Sequence, residues 1–330
     1  MTRPTQASGG LAGAGLVVLA AACFATLGPL SRFAEEAGVT SLGLVTWRAG
    51  LGATVVTLFI VARLAAGVAR PVPLRNIPVR DRWFVGAAAV ANTILNFSVF
   101  VAFTRISIAL ALLVFYLYPA LVAVVSVVWF GERLDRLRWA ALGVSLAGLV
   151  LVLAGDSAGV GTVDVLGIGL AFVGALAQVF YVLAARHGFG HVPGPQAASL
   201  TMGGALVLYL LITLVTGNLA GLARPLASVD ALWPVLVAGV IGAGIPTMAY
   251  ITGIRMLGAS RAAILATLEP VIGVLLAAWL LAEQPTPVQI AGGVLILAAA
   301  VLLQLRGGAA AEHEAVATEA RVEPMRPSRP

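Results

Sequence analysis

The sequence predicts an all-α integral membrane protein of ten transmembrane helices, arranged as two inverted five-helix repeats. Three observations carry that prediction: an apolar composition, a duplicated skeleton, and arginines gathered on one side. The chain is 60% hydrophobic and 10% charged, where a soluble domain carries about 25% charged residues, and its mean hydropathy is +1.02. The duplicated skeleton is an apolar run with Pro, then Glu thirteen positions on, then another apolar run. Pro119 and Glu132 recur as Pro270 and Glu283, 151 residues later. The first copy continues Glu132-Arg133-Leu134-Asp135-Arg136-Leu137-Arg138, whereas the second has Gln284, Pro287 and Gln289 at the three arginine positions. Two copies lying upside down relative to each other in a bilayer would differ in this way, because cytoplasmic loops retain Arg and outer loops do not.

About twenty apolar residues cross a hydrocarbon core of roughly 30 Å. The first such run, 11–31, ends at Arg32, and the second, 42–62, ends at Arg63. The third, 83–103, lies between Arg82 and Arg105, and the fourth, 107–130, stops before Glu132. The fifth, 138–154, runs from Arg138 to Asp156, and the sixth, 164–185, from Asp164 to Arg186. The seventh, 197–217, precedes Arg224; the eighth, 231–254, lies between Asp230 and Arg255. The ninth, 261–282, ends at Glu283, and the tenth, 288–305, at Arg306. Five spans in each half is an odd number, so the second copy must start on the opposite side. The division is a cytoplasmic N-terminus at 1–10, repeats at 11–155 and 156–306, and a disordered cytoplasmic tail at 307–330, where Gly307-Gly308, four Glu and several Pro leave no apolar face.

The arginines test the orientation independently. With the N-terminus inside, sixteen fall on the inner side and only Arg32, Arg105 and Arg224 on the outer, with Arg48 inside a span. Both termini are therefore expected in the cytoplasm of a cell whose inner or plasma membrane holds the protein. The net charge of +6 does not imply nucleic acid, since the basic residues lie singly or in short loops. Cys23 is the single cysteine, which excludes an intrachain disulfide and a Cys-based zinc site. Arg3 and the stretch Leu19-Ala20-Ala21-Ala22-Cys23 resemble a lipoprotein signal, but the apolar run continues to about Leu30, long enough to span.

Tyr118-Pro119 with Gly131-Glu132-Arg133-Leu134, and Glu269-Pro270 with Trp279-Leu280-Leu281-Ala282-Glu283-Gln284-Pro285, resemble the EamA type of the drug/metabolite transporter superfamily, over roughly residues 11–305. The resemblance implies ten helices around a central cavity, used to export amino acids or other small metabolites. It further implies a cavity lined mainly by helices 1, 3, 4, 6, 8 and 9, with 5 and 10 peripheral.

Glu269 is the one acidic residue expected inside a span, about 12 Å from Arg261. An ionised acid at that depth costs about 2.5–3.5 kcal/mol, so it needs a compensation or a use. Ala262, Ala266, Gly273 and Ala277 form a small-residue stripe around it. Glu269 is expected to bind an amino or cationic group or to exchange a proton; its structural alternative is to pin helix 9 by hydrogen bonds. Tyr118 takes its place in the first repeat. Pro119 and Pro270 each remove a backbone donor at matching positions, as hinges or as static kinks. Arg48, beside Trp47, either snorkels to the outer headgroups or pairs with a substrate carboxylate or Glu269. Asn92 and Asn96 share a face of helix 3, as do Gln178 and Tyr181 on helix 6 and Thr247 and Tyr250 on helix 8. Tyr116 and Thr267 are equivalents in the repeat. Together these are the candidates for the polar lining. The loop residues Glu132 and Glu283 are expected as helix-terminal charges, with a gating salt bridge as the other reading.

Catalysis is not expected, because His187, His191 and His313 lie in a loop and the tail and no span holds a nucleophile with a base. No cofactor and no metal are implied, and a P-loop is excluded by the absence of lysine. Neither rings of charge nor a repeated filter loop suggests a channel. The expected partners are a small-molecule substrate and the lipid bilayer, not nucleic acid, and a homodimer is compatible with the sequence. A secondary exporter working by alternating access is the reading that follows. A lipid-linked flippase or membrane scaffold on the same repeat is the alternative.

Overall fold

The computed structural model describes residues 5–68, 70–130, 136–157, 164–257, 262 and 265–302. All regular structure among them is helical. The apolar helices are α1 (Leu11–Glu36), α2 (Ser41–Ala65), α3 (Val79–Arg105), α4 (Ile108–Val122), α5 (Trp139–Val152), α6 (Val165–Ala185), α7 (Gly194–Val215), α8 (Val229–Ile254), α9 (Leu268–Leu281) and α10 (Pro287–Leu302). Of these α1, α2, α3, α6, α7 and α8 are long and apolar enough to cross a membrane, and the other four are shorter. The expected loop charges Glu132 and Arg133 and the expected tail at 307–330 lie outside the described residues.

Local chemistry sets where the helices begin and end. The side chains of Thr40, Ser107, Asp164 and Ser228 accept the backbone N–H three residues on, capping α2, α4, α6 and α8. Gly38 closes α1 at φ 80°, a left-handed turn that glycine adopts without a Cβ clash.

Four helices are interrupted just ahead of a proline. In α1 the regular helix breaks at Thr26, three residues before Pro29. Within α4 the break is the turn at Tyr116 and Leu117, before Pro119, and at the head of α9 it is Thr267, before Pro270. In α8 a π-helical segment, Val240–Gly244, precedes Pro246. Each proline lacks the N–H that would return to the carbonyl four residues back, namely Ala25, Phe115, Ala266 and Gly242. The Tyr116 and Thr267 interruptions fall at equivalent positions of the duplicated skeleton, 151 residues apart.

The principal helix contacts run between the two halves of the chain. α3 packs along α6, α1 along α8 and α2 along α7. Exchanging α1–α5 with α6–α10 maps these pairs onto themselves, the signature of a pseudo-twofold arrangement. α5 and α10 meet elsewhere, backbone to backbone: a Cβ on Gly148 would stand 2.7 Å from the Gly292 carbonyl oxygen, and one on Gly292 would stand 2.6 Å from the Gly148 oxygen. Such contact is how helices associate where lipid supplies no hydrophobic drive.

Both ends of the bundle are tied across the halves. At the arginine-rich end the Asp81 carboxylate accepts from the His191 backbone N–H and faces its ring Nδ1, each at 3.0 Å, while the Gln196 side chain exchanges two hydrogen bonds with the Val72 backbone. At the opposite end Arg105 pairs with Asp164 at 2.8 Å, Trp47 Nε1 donates to the Leu222 carbonyl, and Arg224 Nε donates to that of Ala37. The Gly167 backbone N–H, and then the Arg105 guanidinium, hold the Asp164 carboxyl below the usual carboxylate range.

Glu283 is a helix-terminal charge, and its partner is the first turn of α4. Its carboxylate accepts the Ile108 N–H at 3.0 Å and the Ala109 N–H at 3.3 Å, next to the Ser107 cap. Anionic acceptors are favoured there by the helix dipole as well as by the orphan donors. The preceding residue, Ala282, adopts the left-handed conformation at φ 54°, which turns the chain out of α9 and presents Glu283 to α4. Glu283→Ala is expected to lower the melting temperature of the purified protein, by the loss of about 1–3 kcal/mol for two donors left unpaired; an unchanged melting curve would remove the cap from the account.

Candidate substrate cavity

A cavity of about 460 Å³ opens between the two halves. Its polar wall begins with α3. Asn92 and Asn96 sit one turn apart, as their spacing requires, and the Asn96 amide donates to the Asn92 side-chain oxygen at 2.9 Å and to its backbone carbonyl at 2.8 Å. The Asn96 oxygen is thereby turned outward, and it accepts Arg48 Nη1 from α2. Arg48 Nη2 reaches the Gly242 carbonyl at 3.4 Å, the group that Pro246 leaves without its helical donor. The guanidinium carbon stands 5.6 Å from the centre of the Phe100 ring, a cation–π distance. Arg48 Nε is buried and has no acceptor among the described residues.

Elsewhere in the lining α4 and α9 meet at their interruptions. Tyr116, Tyr118 and Phe115 form an aromatic cluster with ring centres 5.5 to 5.7 Å apart. The Tyr116 hydroxyl lies within hydrogen-bonding reach of the Glu269 carboxylate. Glu269 and Arg48 line the same cavity and lie near enough for each charge to act on the other, yet no direct ion pair joins them among the described residues. Two opposite charges in one mostly apolar lining, with no direct pair between them among the described residues, stay open to contacts with a bound molecule.

The structure brings Arg48, Asn92, Asn96, Tyr116, Tyr118, Gln178, Tyr181, Thr247, Tyr250 and Glu269 to this cavity. Thr267 is not among its lining; it is buried at the α9 interruption. Pro119 and Pro270 are not in the lining, but Phe115 and Ala266, four residues ahead of each, are. Arg48 does not snorkel to an interface, because Asn96, Phe100 and Gly242 hold it inward, while Trp47 turns the other way to Leu222. The partner of Glu269 is Tyr116, not its repeat equivalent Tyr118.

Two features went unread in the sequence. α7 also contributes, through Thr201, Met202 and Tyr209, and α2 adds Val45 and Ala49 to the expected Arg48; neither helix is among those the resemblance implied as the main lining. α5 and α10 give no lining residue among those described. The aromatic wall of Phe24, Phe100, Phe103 and Phe115 is the other. Phe in an apolar run carries no mark of facing a cavity, whereas Asn at a four-residue spacing does.

Known proteins resemble this chain in sequence and in fold. The uncharacterised transporter sll1319 of Synechocystis sp. is 26% identical over 208 residues, which cover 62% of this chain and 61% of that protein; the match thus spans about three fifths of its length. One solved crystal structure covers 91% of this chain and 99% of its own, at 24% identity and a TM-score of 0.59, a likeness of fold. The family model of the EamA-like transporter family matches twice, at residues 11–154 and again at 165–305, nearly the whole chain in two successive units. A membrane-spanning helical protein built from two such units belongs to the EamA-like transporter family.

Proposed function

We propose that this protein is a secondary transporter that exports small metabolites, amino acids or related amphiphilic and cationic compounds, across the cytoplasmic membrane. Ten spans cross that membrane as two inverted five-helix repeats, bounded at 11–155 and 156–306, with both termini in the cytoplasm. The cavity between the halves carries the reading: about 460 Å³, within the range of small-molecule sites, mostly apolar and aromatic, with a few polar groups supplied by both halves. Glu269 binds the amino or cationic end of the substrate, or exchanges the proton that drives it. Pro119 and Pro270 serve as hinges, since the interruptions beside them are places where a helix can bend without breaking a bond it already has. The arginine bias and the five apolar helices per unit support the orientation.

The test is a panel-wide comparison of metabolites inside and outside cells that hold or lack the protein. Cells lacking it are expected to retain one class of small amphiphile several-fold above wild type, and a plasmid copy is expected to restore export. Identical profiles across amino acids, cationic drugs and nucleosides would sink the proposal.

A further inference from the structure

We propose that Arg48, held by Asn96 and Asn92, is an anion subsite that selects substrates bearing a carboxylate. The inference rests on the transporter reading above and names the substrate chemistry of that cavity.

A guanidinium offers five N–H donors in a rigid fork suited to a carboxylate. Among the described residues Arg48 has one strong acceptor, the Asn96 oxygen, and one long one, the Gly242 carbonyl. Nε is buried with none. No acidic residue pairs with Arg48 among the described residues, where Arg32 and Arg105 do have such partners, Glu35 and Asp164. Both groups that do touch it are neutral oxygens and Glu269 acts on it only from a distance, so Arg48 lacks a direct counter-ion in a partly apolar cavity, where an ion without one is expensive. A side chain that needed only packing would have been cheaper without the charge. An incoming carboxylate completes the guanidinium's donors and cancels its charge at once.

The surroundings fix where that carboxylate must approach. Asn92 accepts from Asn96 and so locks the Asn96 amide in one orientation; Asn96 then anchors one edge of the fork, and Phe100 covers a face of its plane. Arg48 touches the substrate, and Asn96 and Asn92 are positioning residues that act through it. The Gly242 contact adds a second consequence, because its carbonyl belongs to the π segment of α8. Occupation of Arg48 by an anion competes with that contact and loosens α2 from α8. Glu269, in the same lining, takes the amino end, so the two charges together select a zwitterion.

Purified full-length protein would be titrated, by thermal shift and by counterflow in proteoliposomes, with matched trios: an amino acid, its amide and its decarboxylated amine. Wild type is expected to favour the free carboxylate over the amide by about tenfold or more for at least one trio, the size of a charge-assisted hydrogen-bond pair. Arg48→Gln should erase that preference and still bind the amine, which also reports that the variant is folded. Arg48→Lys should recover part of the preference, and Asn96→Leu should weaken it without erasing it. The assignment is overturned if no trio shows a preference in wild type, or if Arg48→Gln keeps the preference. Either outcome leaves the export comparison above untouched, and an absence of export in that comparison would fail the transporter reading by itself.

Discussion

Glu269→Gln is expected to stop net export while leaving the amount of protein in the membrane unchanged and its melting temperature equal or higher. The two effects part if the acid, as proposed above, serves transport at the expense of the fold. Gln keeps the volume and an acceptor for the Tyr116 hydroxyl but carries no charge, so the about 2.5–3.5 kcal/mol of holding an ionised acid inside the membrane is relieved. Meanwhile neither a cationic group nor a proton finds its partner. Export by cells carrying the variant, set beside detergent melting curves of the same protein, reads both effects. Full export with a lowered melting temperature would return Glu269 to the lesser role of pinning α9.

Gly292→Val should abolish folding of the purified protein, the largest structural effect expected of one substitution here. A Cβ at that position would lie 2.6 Å from the Gly148 carbonyl oxygen and 2.8 Å from both the Val152 amide nitrogen and its side chain. Backbone atoms cannot swing aside, so α5 and α10 must separate. Overpacking a fitted site costs about 1–3 kcal/mol even where side chains can give, and here the whole α5–α10 contact is also lost. Gly143→Val is the control, because a Cβ there meets nothing within 4 Å. Fluorescence-detected gel filtration should show a monodisperse peak for Gly143→Val and aggregate for Gly292→Val. Matching profiles would mean that the two helices do not touch at these glycines.

The fold was legible because its signals are long. Apolar runs bounded by charge, a proline and a glutamate repeated at one spacing, and arginines on one side all survive in the bare sequence. Within the cavity, residues out of keeping with their surroundings were legible: Glu269 in an apolar run, and Asn92 and Asn96 a turn apart. What was hidden depends on direction and distance. Arg48 beside Trp47 reads as an interfacial pair, and only the packing of α2 against α3 and α8 shows the two side chains diverging. Tyr118 is the sequence equivalent of Glu269, but the turn at Tyr116 and Leu117 rotates the neighbouring phenol into reach instead. The π segment of α8 lies in Gly239-Val240-Ile241-Gly242-Ala243-Gly244, whose glycines and small residues suit many backbones equally. Glu283 announced a helix terminus without saying whose, since its partner is 175 residues away.

That separation has a consequence for how the protein is made. A ribosome adding about 5–20 residues per second finishes Ile108 on the order of ten to thirty seconds before it reaches Glu283. Throughout that interval the first amides of α4 have only Ser107 and whatever the insertion machinery or headgroup water can lend them. The late-arriving carboxylate therefore closes the first turn of α4 only after nearly all of the second half has been synthesised, and chains that end ahead of it should leave those two amides without their acceptor.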